Sequence, residues 1–310
     1  MGVFAVIKGR SGAQRLRRDY IQAGVACVKI RDSVFDSVSE RKLHKALKTR
    51  WGKMFNLFPQ LPFTKIVDIE GGGFTEKERQ FLFKTNVDYT LCDRQGNKPL
   101  ISIEFDGLGH GFSRMGEYIQ FMPAEDPYRK LKLDLKLRIA LRLLYPYFVV
   151  SYGEAYPFDF EPEWDLTVLD GIIGQALAYK HLLKALTAID EQELEKYTPQ
   201  DIVDMREMEA ELTWDPIASE AAKLKGELVR KGIVKVWSHG ALDDPDSLLP
   251  FDYEYAKRFG YWYNVQGDFG EVKRTVWVRN VAGVGVDPLT IVRNIAELLT
   301  VREVWKKLLK

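Results

Sequence analysis

The sequence has little of what a disulfide-linked, metal-thiolate or membrane-spanning protein needs. Its 310 residues include only two cysteines, Cys27 and Cys92, which excludes a disulfide framework and a thiolate metal cluster. No apolar run approaches the roughly 18 residues of a membrane span. The short apolar start is followed by arginines, the reverse of a secretory signal. These features predict a reduced, cytoplasmic protein with no membrane association.

Several enzyme signatures are also missing, among them the P-loop, the dinucleotide-binding fingerprint and the nucleophile elbow. The net charge is only +1, and the composition, with 46% hydrophobic and 29% charged residues, is typical of a globular protein. One segment departs from this balance, because residues 129–142 carry six basic side chains and one aspartate. Such a stripe fits either a phosphate-binding face or a solvated helix face.

Hydrophobic periodicity and turn residues predict alternating helices and strands. The segment at 126–146 alternates like a strand, but its length and its Leu, Lys, Arg and Ala content favour a helix. The predicted helices are 38–50, 75–84, 126–146, 166–188, 190–212, 216–231 and one after Pro288. The predicted strands or extended segments are 55–69, 86–92, 99–106, 147–153, 233–238, 251–264 and 271–281.

The hairpin "NVDYTLCDRQGNKPLISIEFD" (86–106) places acids inside strands. Glu104 and Asp106 share one face, because strand side chains alternate. A three-residue turn, Gln95 to Asn97, would put Asp88 opposite Glu104, since asparagine tolerates the left-handed state that such a turn needs. A two-residue turn would separate these acids.

Two carboxylates about 5 Å apart across a ladder repel by roughly 3 kcal/mol at an effective dielectric of about 20. A divalent cation between them would remove that cost, and oxygen-only ligands favour Mg²⁺ or Mn²⁺ over zinc. The alternatives are solvated edge acids or a carboxylate paired with an arginine. The residues alone leave these readings open.

The order of elements and motifs resembles the PD-(D/E)xK nuclease superfamily, and within it the branch similar to the very-short-patch-repair endonuclease. That branch shows a "vDf" strand, a strand ending in "iEfDg..H", and a helix beginning "D..R" or "D..K". The chain has "NVDYTL", "ISIEFDGLGH" and "DPYRK", preceded by "SERKLHKAL" and "FNLFPQLPF". The resemblance covers about residues 36–153 and implies an α/β fold with a restriction-endonuclease-like core, a mixed α-β-β-β-α-β sheet flanked by helices.

The resemblance also implies a site. Asp88 and Glu104 would hold Mg²⁺ or Mn²⁺, with the Phe105 carbonyl as a further ligand and Glu40 as an additional acid or, instead, a capping residue. The lysine two residues after the glutamate is replaced by Asp106. Proton transfer would then fall to His110, with Asp106 as a further ligand or as the partner of His110. Lys130 or Lys132, at the head of the following helix, would replace the missing catalytic lysine by reaching the phosphate, and Arg129 could do likewise. The candidate nucleic-acid contacts of that helix are Arg129, Lys130, Lys132 and Lys136.

The predicted organisation is an N-terminal extension (1–35), a nuclease-like core (36–155) and a C-terminal mixed α/β region (156–310). The expected function is metal-dependent hydrolysis of phosphodiester bonds in nucleic acid, with DNA as the expected substrate and water as the nucleophile. One alternative is an inactive nuclease-fold protein that binds nucleic acid or a protein partner. Another is a structural protein whose acids lie on the surface.

Overall fold

A computed structural model describes residues 38–69, 73–106, 127–151, 167–242, 258–279 and 285–309. The chain divides into two compact units, Met1–Arg41 and Lys42–Lys310. The first unit is described only from residue 38, where helix α1 begins.

The elements of the first half are α1 (Val38–Trp51), β1 (Asn56–Pro62), α2 (Glu76–Phe83), β2 (Asn86–Cys92), β3 (Pro99–Asp106), α3 (Pro127–Arg142) and β4 (Tyr147–Ser151). Those of the second half are α4 (Val168–Leu186), α5 (Glu191–Leu194), α6 (Pro199–Glu209), α7 (Pro216–Arg230), β5 (Val234–Leu242), β6 (Arg258–Gly267), β7 (Gly270–Arg279) and α8 (Pro288–Leu308). The predicted helix at 190–212 is therefore two helices followed by a π-helical turn, Ala210–Trp214. The break has a local cause, because Thr198 and Pro199 start α6 with a capping box.

Strands β1 to β4 form one sheet in sequence order. The pairs β1–β2 and β2–β3 are antiparallel, whereas β4 runs parallel to β3. A parallel neighbour requires a crossover connection, and α3 lies in that connection. The prediction of a mixed α/β protein with a mixed sheet flanked by helices is confirmed.

The two faces of this sheet differ in polarity. Tyr89 pairs with Ile103 across β2 and β3, and both are buried on the face that meets α1, where the rings of His44 and Tyr89 stack 6.2 Å apart. On the opposite face Thr90 and Ser102 hydrogen-bond across the ladder at 3.1 Å. The polar row that contains the predicted acids is therefore on the face away from α1.

A buried carboxylate ties α1 to α4. The indole nitrogen of Trp51 donates to Asp170 at 2.8 Å, and the Arg50 guanidinium lies 3.3 Å from the same oxygen. Burial raises the pKa of Asp170, while Arg50 and the hydrogen bonds lower it. This contact attaches the first half of the Lys42–Lys310 unit to its helical second half.

The hairpin turn differs from the prediction, but the predicted alignment results nevertheless. Asp93 N donates to Lys98 O at 3.0 Å, so the loop holds four residues, and the three-residue turn was wrong. A bulge then restores the alignment, because Cys92 pairs with Pro99 but Leu91 pairs with Ile101. One residue of β3, Leu100, is the extra residue of this bulge.

The second half contains a three-stranded antiparallel sheet, β5-β6-β7, packed against α8. Its helix-facing side is apolar, with Val265, Val272 and Val278 buried. Helix α4 approaches the start of α7 closely at Gly174, where a Cβ would lie 2.5 Å from the Asp215 Cα. None of the helices in the described ranges is long and apolar enough to cross a bilayer.

The domain limits at 35 and 155 stay predictions. The second limit falls between residues 151 and 167, outside the described part of the chain.

The hairpin turn can be tested at Asn97, whose φ of 53° is in the left-handed region. We expect Asn97→Val to lower the free energy of unfolding by about 1–2 kcal/mol, because a β-branched side chain is strained there. Asn97→Asp is the matched control, since aspartate tolerates this conformation and keeps an oxygen for the Asn56 amide. Equal urea midpoints for both variants would contradict the turn geometry.

Candidate active site

The candidate site is the polar row on the face of the sheet away from α1. The pairs Tyr89–Ile103 and Thr90–Ser102 fix the register of β2 and β3. Continuing this register by one residue places Asp88 opposite Glu104, on the face that carries Thr90 and Ser102. The two acids singled out from the sequence thus lie side by side on neighbouring strands.

Helix α3 supplies a cation to this row. The Lys136 ammonium lies 2.9 Å and 3.0 Å from the two oxygens of Glu104 and donates to the Asn86 carbonyl at 2.6 Å. Only 2% of the Lys136 side chain is exposed. All three hydrogens of the ammonium are therefore accounted for by acceptors inside the protein.

Two neutral side chains also contact the acids. The Tyr147 hydroxyl, from β4, donates to Glu104 Oε2 at 3.3 Å. The Gln60 amide, from β1, donates to Asp88 Oδ1 at 2.9 Å. All four strands and α3 thus contribute to one cluster, consisting of Gln60, Asp88, Glu104, Lys136 and Tyr147, which we call the acid–lysine cluster.

Gln60 has an unusual backbone. Its φ of 51° is left-handed, although glutamine has no side-chain device that favours this conformation. It lies between Pro59, which pairs with Tyr89, and Leu61, which pairs with Val87. Strained backbone at a position that orients a carboxylate is typical of functional sites.

Opposing effects act on the pKa of Glu104. Its pKa is raised to about 7, mainly by burial, and the negative charge of Asp88 adds to the rise. The Lys136 ammonium and the Tyr147 hydroxyl lower that pKa and so favour the charged form. The Glu104 side chain is 17% exposed, so it is not fully closed off from solvent.

The donor set fits a hard divalent cation. Carboxylate oxygens suit Mg²⁺ and Mn²⁺, and Mg²⁺ is commonly held by one or two carboxylates with water in its other positions. A carboxylate offers about four lone-pair sites, so Glu104 can accept from Lys136 and still face a cation beside Asp88. No group of three or more His, Cys, Asp or Glu side chains is arranged for metal binding within the described residues. The fit therefore rests on two acids.

Five of the predicted site side chains are not described by the structure, and a sixth belongs to the other unit. His110 and the side chains of Asp106, Arg129, Lys130 and Lys132 lie outside the described part of the chain. Glu40 is partly exposed in the first turn of α1 and belongs to the Met1–Arg41 unit. Their assigned roles stay predictions.

Sequence reasoning placed Lys136 in a basic stripe that contacts nucleic acid, and it missed the ion pair with Glu104. The signal was available, because Lys136 precedes Ile139 and Ala140 by three and four residues, the spacing of one helix face. Both of these residues are buried. Gln60 and Tyr147 were also missed, since their roles depend on strand pairing that no local pattern specifies.

Known proteins similar to this chain do not indicate a function for it. A family model described as "Protein of unknown function (DUF2726)" matches residues 31–120, which include Gln60, Asp88 and Glu104 but not Lys136 or Tyr147. No curated protein and no solved structure matches the chain.

The ion pair predicts a pH-dependent cost for its removal. With Lys136→Met, the pKa of Glu104 rises further above its ordinary value, so the folded state favours the protonated acid more strongly. The stability contributed by that preference is present at low pH and is lost as the pH rises through the folded pKa. We expect a loss of about 3 kcal/mol in the free energy of unfolding at pH 8.5 and a much smaller loss at pH 5, measured by urea denaturation in EDTA.

The double variant Lys136→Met/Glu104→Gln is the matched control. It removes both charges and should recover much of the stability lost at pH 8.5. The same loss at both pH values, or no recovery in the double variant, would show that the pair does not set the protonation of Glu104.

Proposed function

We propose that this protein is a metal-dependent nuclease that hydrolyses phosphodiester bonds, with DNA as the expected substrate. The observation that carries the proposal is the acid–lysine cluster: two acids on adjacent strands and a buried ammonium from the crossover helix. Two carboxylates on adjacent strands can hold a hard divalent cation, which phosphodiester hydrolysis uses. The lysine limits their net negative charge, which would otherwise repel the phosphate.

The fold supports the same proposal. The order α1-β1-α2-β2-β3-α3-β4, with β4 parallel to β3, is the arrangement expected from the resemblance to the PD-(D/E)xK superfamily, with α2 as an additional helix between β1 and β2. We assign this part of the chain a restriction-endonuclease-like core. The cluster contains Asp88, near the start of β2, and Glu104, near the end of β3, the two acids chosen from the resemblance.

Lys136 takes the place of the lysine that the superfamily pattern has two residues after the glutamate. In this chain that position is Asp106, so an ammonium must come from elsewhere. Lys136 reaches Glu104 from α3 instead, with its charge about 3 Å from the carboxylate. We therefore propose Lys136 as a positioning residue for Glu104, in place of the lysine that the sequence suggested at Lys130 or Lys132.

Each residue of the cluster then has a task. Asp88 and Glu104 hold Mg²⁺ or Mn²⁺, which when bound supplies positive charge for the transition state and makes water a stronger acid. Gln60 fixes the orientation of Asp88, and Tyr147 fixes that of Glu104. Lys136 keeps Glu104 ionised and lowers the electrostatic barrier to an approaching phosphate.

A second candidate function is nucleic-acid binding without cleavage. It is favoured by the contact of Lys136 with both oxygens of Glu104, since an internal cation already balances that acid. Metal titration separates the two functions, because simple binding needs no divalent cation, whereas cleavage does.

The proposal predicts nicking of supercoiled plasmid in Mg²⁺ or Mn²⁺ and none in EDTA. Asp88→Asn and Glu104→Gln should each lower the rate by at least about 100-fold, because each removes a charge that acts in the transition state. Lys136→Gln should lower it by about 10–100-fold. The measurement is the loss of supercoiled plasmid over time at pH 8.

Glu76→Gln is the matched control, since Glu76 is an exposed acid at the start of α2 and lies outside the cluster. It should leave the rate unchanged. Nicking that survives both Asp88→Asn and Glu104→Gln would overturn the site. Metal-independent plasmid binding with no nicking would favour the second function.

A further inference from the structure

The helical second half contains a cavity of about 460 Å³ that the proposed nuclease chemistry does not use. It lies among α4, α6, α7, α8 and the π-helical turn, and this volume is within the range of about 300–1,000 Å³ typical of small-molecule sites. Its polar lining includes Gln175, Asp204, Arg206, Glu207, Thr290 and Arg293.

Gln175 is the unusual residue of this lining. It is only 2% exposed, and neither its amide nitrogen nor its amide oxygen has a hydrogen-bond partner. A buried polar group without a partner costs about 1–3 kcal/mol. Its neighbours on α4, including Ile172, Ile173 and Ala176, are buried and apolar, so an apolar side chain here would be less costly. The amide therefore leaves a donor and an acceptor free for a molecule in the cavity.

Arg206 gives the cavity an available cation. Its guanidinium has no ion pair or hydrogen bond with any residue that the structure describes. By contrast, Arg293, in the same lining, is 3.0 Å from Glu207, and Thr290 donates to that same glutamate. A planar guanidinium is suited to bidentate binding of phosphate or carboxylate.

In the neighbouring cavity, three polar side chains bond to one another. It has a volume of about 520 Å³ and includes Lys225, Tyr263 and Glu297 in its lining. These three satisfy one another, because Lys225 lies 2.6 Å from Glu297 and the Tyr263 hydroxyl donates to Glu297 at 3.0 Å. This internal network satisfies these three groups without a ligand, so they give no comparable indication of binding.

We propose that the Gln175 cavity binds a nucleoside monophosphate, with Gln175 pairing with the edge of the nucleobase and Arg206 binding the phosphate. A carboxamide presents a donor beside an acceptor, and nucleobases present the complementary edge. The cavity volume accommodates a base, a sugar and a phosphate together. A free amino acid amide shares the same two chemistries, an amide edge and an anion, but is much smaller than this space.

Isothermal titration calorimetry on the full chain tests the proposal. AMP, GMP, CMP and UMP are titrated separately, with L-glutamine and inorganic phosphate as the arms that distinguish other sources of the same chemistry. We expect one site per chain for at least one nucleotide, and binding at least tenfold weaker for L-glutamine and for phosphate. Gln175→Met and Arg206→Gln should each weaken nucleotide binding at least tenfold.

Arg230→Gln is the matched control, because Arg230 is an exposed arginine at the end of α7 that does not line the cavity. It should bind nucleotide as the wild type does. The ligand-free Gln175→Met protein should unfold at the same or a higher urea concentration than the wild type, since it no longer buries an unpaired amide. This result would show that its loss of binding does not arise from misfolding, and Arg206→Gln gives the same test at a partly exposed position.

Three outcomes would overturn the proposal: no nucleotide binding up to 5 mM, binding that neither variant weakens, or binding of L-glutamine at least as tight as that of every nucleotide. None of these outcomes depends on plasmid nicking. Failure of nucleotide binding would therefore not count against the nuclease proposal, and failure of nicking would not count against the nucleotide site.

Discussion

The buried ion pair between Lys136 and Glu104 is the interaction on which the organisation of the first sheet depends. Two carboxylates opposite each other in neighbouring strands repel, and Glu104 is largely removed from water. The Lys136 ammonium offsets both costs and also satisfies the Asn86 carbonyl. Its position attaches α3 to β2 and β3, and Tyr147 extends the same network to β4. The charges of the proposed site and the packing of the crossover helix thus depend on the same ion pair.

The order of helices and strands could largely be predicted from the sequence, because the spacing of hydrophobic residues and the turn residues are local signals. The strands at 86–92 and 99–106 match β2 and β3 closely, and the alternating segment at 126–146 is indeed helical at Pro127–Arg142. The alignment of Asp88 with Glu104 was also predicted, but for the wrong reason. A four-residue loop together with a bulge at Leu100 gives the same parity as the expected three-residue turn.

The remaining features depend on tertiary contacts that a single sequence does not specify. Lys136 lies in a run of alternating basic and apolar residues, and its helix-face spacing to Ile139 and Ala140 distinguishes it from the exposed Arg138 and Arg142. Gln60 reaches Asp88 only because β1 pairs with β2. Gln175 lies within an apolar helix that reads as ordinary core, and its unpaired amide is visible only when the packing around it is known.

The central claim is that Asp88 and Glu104 form one site for a hard divalent cation, and a direct test is the binding of Mn²⁺ followed by electron paramagnetic resonance. The account predicts one bound Mn²⁺ per chain in the wild type, displaced by excess Mg²⁺ and lost in both Asp88→Asn and Glu104→Gln. Mn²⁺ binding that persists in both variants, or no binding by the folded wild type at millimolar Mn²⁺, would contradict it.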